Sequence, residues 1–430
     1  SEEFGLYFAR IPLKTSPHIV FGNALQLDWN EVLSAERCSF VLGNPPFVGA
    51  KFMDDAQRED ARAVFAGIDN AGLLDFVAAW YVKATQYSRL VPGTGGEPIH
   101  PRTAFVSTNS IVQGEQVGVL WSWMLAQGVH IHFAHRTFSW SNEASGKAAV
   151  HCVIVGFGLE NRPGKVIYEY ENIKGNAHAV PASNINPYLV DAPDVVLPRR
   201  SRPICAVPEI GIGNKPIDDG NYLFTTQERD AFITKEPASA KWFRRWLGAD
   251  ELINAYERWC LWLGNCSPTE LRAMPEVMKR VQAVKTFRHA SKSPPTQKLA
   301  ATPTRFHVEH MPTTTYCAVA KVSSEKRAFV PIGFEDPSTL SSDLLFLIPG
   351  ATLLHFGVLC STMHNAWVRA VCGRLESRYR YSKDIVYNNF PWPDLPQKSE
   401  PNQPPAPASQ AQAAIETAAQ AVLDARAQFP

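Results

Sequence analysis

The stretch "FVLGNPPFVG" (residues 40–49) decides how the fold is read. An apolar run of strand character stops at Gly43 and passes straight into Asn44, two prolines and the ring of Phe47. Adjacent prolines fix two φ angles and remove two backbone donors. Each also pushes the residue before it out of the helical region. The expected product is a stiff, extended corner at a strand end. Such a corner either simply turns the chain or holds a few acceptor atoms rigidly for chemistry.

Working outward, residues 1–160 alternate between strand and helix patterns. "HIVFGNAL" and "CSFVLG" (38–43) are strand-like, and a helix is expected over 71–89, where Leu73, Leu74, Val77, Trp80, Tyr81 and Ala84 fall near helical spacing. "TAFVSTNS" (103–110) is the next strand, and "GEQVGVLWSWMLAQG" is a helix ending at Gly128. "VHIHFAHRTF" and "AAVHCVIVGF" are two further strands with little between them, expected as an antiparallel hairpin at one edge. Strands alternating with helices point to an open α/β sheet.

After Gly158 the character changes. Residues 180–225 are rich in Pro, Gly, Asn and Asp and suggest a domain crossing. Residues 237–290 are expected to be helical, 303–350 to be strands with turns, and 351–372 to be one helix. A Pro-rich linker (393–410) leads to an amphipathic helix with Ile415, Ala418, Ala419, Val422 and Leu423 on one face. No later segment offers a partner for that face, which suggests a fragment truncated at its C-terminus.

The totals exclude several classes. With 45% hydrophobic and 19% charged residues the composition is that of a soluble globular protein. No apolar run reaches the roughly 18 residues of a membrane span, and "SEEFGLYFARIPLK" has no signal-peptide core. The eight cysteines are scattered without a zinc-type spacing and imply a reducing cytoplasm. The histidines form no cluster; His130, His132 and His135 alternate near a strand and suit a structural role. The net charge of +1 decides nothing about nucleic acid, because a local patch can bind phosphate on a neutral protein. One such patch is present: "RAVCGRLESRYRYSKD" (369–384) carries Arg369, Arg374, Arg378, Arg380 and Lys383 against Glu376 and Asp384, with two tyrosines interleaved.

In open α/β sheets ligands sit at the carboxyl ends of strands, and the proline corner occupies such an end. Asn44 offers one amide oxygen and one amide donor, and the carbonyl of Pro45 adds a second acceptor on a nearly rigid backbone. Two fixed acceptors suit an amine with two N–H donors, whose nitrogen gains electron density and attacks an electrophilic methyl group. Phe47 can stack on the ring that carries the amine. A chance match to Asn-Pro-Pro-aromatic is expected only about 0.01 times in a chain of this composition. The plainer alternative is a Pro-rich turn with an exposed Phe.

Asn44-Pro45-Pro46-Phe47 resembles the catalytic motif of amino-group DNA methyltransferases, in the form typical of adenine N6 enzymes. "GNALQLDW" (22–29), "SSEKRAFVPIGF" (323–334), "HFGVLCSTMHNAWVRAVCGRL" (355–375) and "SRYRYSKDIVYNNFPWP" (377–393) narrow the resemblance to the MmeI-like type II restriction-modification proteins. These are single chains carrying a nuclease, an adenine methyltransferase and a target-recognition domain. The resemblance implies an incomplete Rossmann-like methyltransferase sheet, of which residues 1–190 are the C-terminal half, and a mixed α+β target-recognition domain over 191–395. The linker and the start of a C-terminal helix fill 396–430.

Its implied activity is transfer of methyl from S-adenosylmethionine to an adenine flipped from a specific site in double-stranded DNA. The implied partners are that DNA and an upstream part holding the nuclease and the glycine-rich cofactor turn; no membrane is involved. Without the upstream part, the isolated polypeptide is expected to bind S-adenosylmethionine weakly or not at all and to be inactive.

The resemblance also nominates residues. Asn23 falls where related enzymes carry an acid contacting the cofactor adenine; its alternative is a strand-end turn. Asp28 is a second cofactor candidate, otherwise a helix cap. Phe138 or Trp140 corresponds to an aromatic against the flipped base, and core packing is the alternative for both. Glu376 and Arg378, two apart, correspond to a pair reading one base pair, since Glu accepts from cytosine N4 and Arg donates to guanine. Arg380 continues that face. Arg374 and Lys383 suit phosphate, and Arg327 in "SSEKR" suits a strand-turn contact to DNA. Two rival functions stay open: a DNA-recognition module that has lost catalysis, and a methyltransferase acting on RNA or protein.

Overall fold

In a computed structural model the described residues are 18–90, 100–140, 150–375, 377–393 and 410–428. The chain divides into two units, Ser1–Val112 with Gln116–Val196, and Gln113–Glu115 with Leu197–Pro430.

The first unit is built on strands β1 (Phe40–Gly43), β2 (Arg102–Thr108), β3 (His130–Trp140), β4 (Val150–Gly158), β5 (Lys165–Glu169) and β6 (His178–Ala182). They form one sheet in the order β1-β2-β4-β3-β5-β6. β1 and β2 are parallel, and β4 is antiparallel to both β2 and β3. So β1, β2 and β3 run the same way, and their last residues, Gly43, Thr108 and Trp140, share one edge of the sheet.

The β3–β4 hairpin expected at a sheet edge lies inside it, because β5 pairs with β3 and β6 with β5. Val166, Ile167 and Tyr168 of β5 sit opposite Phe133, Ala134 and His135, satisfying backbone groups that an edge strand would leave open.

The core of this unit gathers on one face of β2, where Thr103, Phe105 and Ser107 are buried. Tyr81, from the helix Ala78–Ser88, stacks on Phe157 of β4 at 5.2 Å and meets Phe105 edge-on at 5.3 Å. Its hydroxyl lies 2.7 Å from Ser107 Oγ, and burial pushes the phenol well above its ordinary pKa. Trp121 of the helix Glu115–Ala126 completes the cluster and donates its indole N–H to the Ile111 carbonyl.

Two local expectations fail here for identifiable reasons. The helix expected over 71–89 begins only at Ala78. The Asp75 N–H is taken by Gln116 Oε1 and the Phe76 N–H by the Val48 carbonyl, so tertiary bonds capture amides that the helical pattern would have used. "HIVFGNAL" is not a strand. The Asn23 carbonyl accepts from Gln26 and Leu27, and its Oδ1 accepts from Leu25, which makes a turn.

The second unit holds β7 (Gly211–Ile212), β8 (Leu223–Thr225), β9 (Phe243–Leu247), β10 (Arg258–Leu261), β11 (Tyr316–Ala320), β12 (Val322–Ser323), β13 (Ile332–Glu335), β14 (Leu340–Ser341), β15 (Leu345–Pro349), β16 (Gly373–Leu375) and β17 (Arg378–Arg380). They form sheets β14-β9-β10-β8, β13-β11-β15-β7 and β12-β17-β16. Residues 237–290 are therefore not uniformly helical. Gly248 and the left-handed Ala255 (φ 55°) interrupt the helical pattern, and the aromatic-rich β9 and β10 pair through Trp246 with Arg258 and Arg245 with Trp259.

Val277, Val281 and Val284 of the helix Pro275–His289 pack onto Phe224, Phe243 and Trp246 of that sheet. At the end of the same helix the buried Arg288 gives its five N–H donors to the carbonyls of Pro216, Ile217, Leu299, Thr302 and Arg305.

The single helix expected at 351–372 is two, Leu353–Leu359 and Thr362–Val371, because Ser361 caps the second by accepting from the His364 N–H. The C-terminal helix, Gln410–Ala427, has the partner that the sequence did not show. Ile415 and Ala419 lie against Gly357, where an added Cβ would come within 2.8 Å of Ile415 and 3.2 Å of Ala419. Arg426 donates to the Ile332 carbonyl from the same helix.

Candidate active site and nucleic-acid interface

The proline corner is shaped from both sides. On the strand side, Gly43 lies flat on Phe105, its register partner in β2, and a Cβ at Gly43 would stand 3.1 and 3.2 Å from that ring. Pro45 is buried, whereas Asn44 and Pro46 are exposed and Phe47 is half-buried. Among the described residues no hydrogen bond occupies the Asn44 amide. The corner therefore presents a polar side chain outward from a fixed, desolvated proline. The sheet direction places it on the edge shared by the ends of β2 and β3.

On the far side the chain is tied down by residues that no motif singles out. Asp75 accepts the Ala50 N–H at 2.8 Å and the Ser110 hydroxyl at 2.6 Å, and Ser110 Oγ lies 2.8 Å from Thr108 Oγ1 at the end of β2. The Val48 carbonyl accepts from Phe76. Their signal is contact between segments far apart in the chain, so no local pattern could have found them.

Phe138 lies near the end of β3, just beyond a bulge where Arg136 and Thr137 oppose a single residue of β4. Its ring stacks on Tyr170 at 5.4 Å, and His135 stacks on Tyr168 at 4.2 Å with Nδ1 2.8 Å from the Tyr170 hydroxyl. Burial holds the His135 and His132 imidazoles below their ordinary pKa. The side chain of Trp140 lies outside the described residues. Among the described residues no three His, Cys, Asp or Glu side chains gather as a metal site.

Asn23 is exposed, and its Oδ1 accepts from Leu25 while its amide donates to Asp60 at 2.6 Å. Gln26 donates to the other Asp60 oxygen at 2.8 Å, so Asp60 is a carboxylate beside Asn23 that the sequence did not suggest. Asp28 caps the short helix Trp29–Val32 by accepting from Asn30. Asn23 Oδ1 retains a second lone pair and its amide a second hydrogen. The turn therefore keeps polar groups that no described partner occupies, at an exposed reversal of the chain.

In the second unit the structure brings two basic motifs into one sheet. β12 pairs with β17 through Val322 with Arg380 and Ser323 with Tyr379, so the turn Ser324–Arg327 adjoins the "RYR" strand. Arg378 and Arg380 are both exposed and share a face of β17; Arg327, Lys326 and Glu325 are exposed on the neighbouring turn. The Glu325 carboxyl is held below its ordinary pKa first by its own backbone N–H and then by the Ser377 side chain.

Arg374 does different work: its guanidinium stacks on Tyr379 at 3.7 Å and donates to the Ser377 and Arg369 carbonyls. Lys383 is half-buried with its ammonium 2.6 Å from Asp384, which Arg199 also approaches at 2.8 Å. Glu376 lies outside the described residues.

Comparison with known proteins follows the same division. The family model "MmeI, DNA-methyltransferase domain" matches residues 1–169, and "MmeI, target recognition domain" matches 191–394. The chain is similar to DNA methyltransferase A of Bacillus subtilis (strain 168), with 37% identity over 388 residues that cover 90% of this chain and 42% of that protein. It is also similar to a solved structure of the type IIL restriction-modification enzyme MmeI in complex with DNA. There the identity is 51% and the TM-score 0.87, covering 100% of this chain and 55% of that one. The chain thus spans about half the length of these relatives. No helix among the described residues is long and apolar enough to cross a membrane.

Proposed function

The chain belongs to the MmeI family, and from that premise we propose that it is the part of such an enzyme that selects a site in double-stranded DNA and methylates an adenine there. The observation that carries this reading is the corner itself: an exposed Asn44 beside a buried Pro45, at the C-terminal end of a strand and on an edge shared with two others.

In this proposal residues 1–190 are the second half of the methyltransferase and 191–395 the recognition domain. S-adenosylmethionine supplies the electrophilic methyl group when bound, with Asn23 and Asp28 at the rim of its site. Asn44 Oδ1 and the Pro45 carbonyl each accept one N–H of the adenine amine. This draws the nitrogen towards a pyramidal geometry and directs its lone pair outward from the corner. Pro46 removes backbone freedom between the acceptors and the ring of Phe47. Phe47 stacks on the base, which has lost its neighbours in the duplex, and Phe138 or Trp140 covers its other face. Arg378 reads a base edge from β17 with Glu376, while Arg327, Arg374, Arg380 and Lys383 meet phosphate or hold the hairpin that does.

The test is transfer of labelled methyl to duplex DNA by the full-length protein that carries this chain. Wild type should label adenine N6 and Asn44→Ala should not, while both bind the duplex alike. Undiminished transfer by the variant, or labelling of RNA or protein in place of DNA, would overturn the reading.

A further inference from the structure

We propose that Asp75 is a positioning residue for methyl transfer, holding the far limb of the Asn44–Phe47 corner against the end of β2. The inference rests on the methyltransferase reading above. Asp75 sits three residues before the helix Ala78–Ser88, whose N-cap residue is Val77. Here the helix has no side-chain cap. The first helical amides go to the backbone carbonyls of Asp75 and Phe76. The carboxylate instead turns to Ala50 and Ser110, one oxygen to each.

What these bonds join gives the residue its role. Ala50 lies three residues beyond Phe47, and Ser110 lies two beyond the end of β2. The prolines stiffen the near side of Phe47. The far side, Val48 to Lys51, has few other restraints: the Phe76 N–H on the Val48 carbonyl, the Phe52 N–H on the Gly49 carbonyl within the turn, and two long bonds of 3.3 and 3.4 Å from Arg58 to the Ala50 and Lys51 carbonyls. Asp75 supplies the only short side-chain tether described for that limb, and its own N–H is fixed by Gln116. One carboxylate therefore links the limb after β1 to the end of β2. The stacking ring sits between two anchored points, and losing the carboxylate leaves the limb beyond Phe47 held by backbone bonds and the long Arg58 bonds alone, without touching Asn44 or the Pro45 carbonyl.

The experiment uses the full-length protein with Asp75→Ala, Asp75→Asn, Ser110→Ala and Asn44→Ala. It measures single-turnover methyl transfer, duplex affinity and thermal midpoint. An ångström of misplacement costs about 100-fold in rate, so Asp75→Ala should lose roughly 10- to 100-fold in rate with duplex affinity within about twofold. Asp75→Asn should recover to within about threefold of wild type. Its amide oxygen can still accept from Ala50, and its amide nitrogen can donate to Ser110 Oγ, which is able to accept. Ser110→Ala removes one of the two tethers and should lose roughly 3- to 10-fold with little change in midpoint.

Wild-type rates in both Asp75→Ala and Ser110→Ala overturn the proposal. So does an Asp75→Asn as slow as Asp75→Ala, which would make the negative charge the essential property. If Asp75→Ala does not fold, a wild-type rate in Ser110→Ala overturns the proposal and the stated loss supports it. Failure of the wild type itself to transfer methyl, or activity in Asn44→Ala, sinks the methyltransferase reading and is separate from these outcomes.

Discussion

Replacing Gly43 by alanine tests whether the corner is held by packing as well as by proline. The added Cβ would stand 3.1 and 3.2 Å from two carbons of the Phe105 ring. Carbon atoms in contact approach to about 3.5 Å, so something must move by roughly 0.3–0.4 Å. The ring has nowhere to go. Phe105 is 2% exposed, with Tyr81 edge-on at 5.3 Å and Phe157 at 6.1 Å, and Tyr81 is pinned to Ser107. The end of β1 moves instead and carries Asn44 with it.

Overpacking of this kind costs about 1–3 kcal/mol of stability. With about 100-fold lost per ångström of misplacement, the displacement should slow methyl transfer by roughly 3- to 10-fold. The assay is single-turnover transfer by the full-length protein, beside a thermal melt and duplex affinity. Phe105→Leu opens the space that the new methyl needs. In a double-mutant cycle Gly43→Ala should therefore slow the Phe105→Leu background far less than the wild type. A Gly43→Ala rate within twofold of wild type, or equal slowing in both backgrounds, would show that contact with Phe105 does not set the position of Asn44.

Three further outcomes are expected. Arg327→Ala and Arg380→Ala should each lower the slope of log affinity against log salt by about 1, uniformly across sequences, while Arg378→Ala should relax selection at one base pair by about 1–3 kcal/mol; binding titrations at several salt concentrations on matched and mismatched duplexes measure both. Burial pushes the His364 imidazole down from 6.5 to about 3, so the unfolded chain binds a proton that the folded chain refuses. Its contribution is complete above pH 6.5 and shrinks as the pH falls towards 3, by about 2 kcal/mol at pH 5; chemical denaturation should show this slope in wild type and lose it in His364→Gln. Arg288→Met should destabilise the second unit by about 3–5 kcal/mol because five buried carbonyls lose their donor; an unchanged denaturation midpoint would show that water replaces the guanidinium at little cost.

What was legible in the sequence depended on whether a residue's role is local. Two prolines after a strand constrain their own backbone wherever they stand, so the corner could be recognised from four residues. Asp75 could not, because its carboxylate is defined by Ala50 and Ser110, which lie 25 and 35 positions away. The same limit explains the elements that differed. Helical spacing before Ala78 was real, but Gln116 and Val48 captured the amides. The Trp- and Arg-rich run before Pro275 suited a helix by composition until the pairing of β9 with β10 settled it as sheet.

Charge shows the limit most sharply. In "RAVCGRLESRYRYSKD" each cation counts the same, and a patch of five suggests five contacts to DNA. The fold separates them. Arg374 lies across Tyr379 and donates to two carbonyls, and Lys383 faces Asp384; Arg378 and Arg380 are exposed on one face of β17. The pairing of β12 with β17 then adds Arg327 from a turn some fifty residues earlier, which no charge count over the patch would include. A salt dependence governed by the whole patch would exceed that of Arg327 and Arg380 by about 0.9 for each further cation that meets phosphate. Arg374→Ala divides the two accounts: loss of affinity with an unchanged salt slope marks a residue that shapes the hairpin, and a slope lowered by about 1 marks one that touches the backbone of DNA.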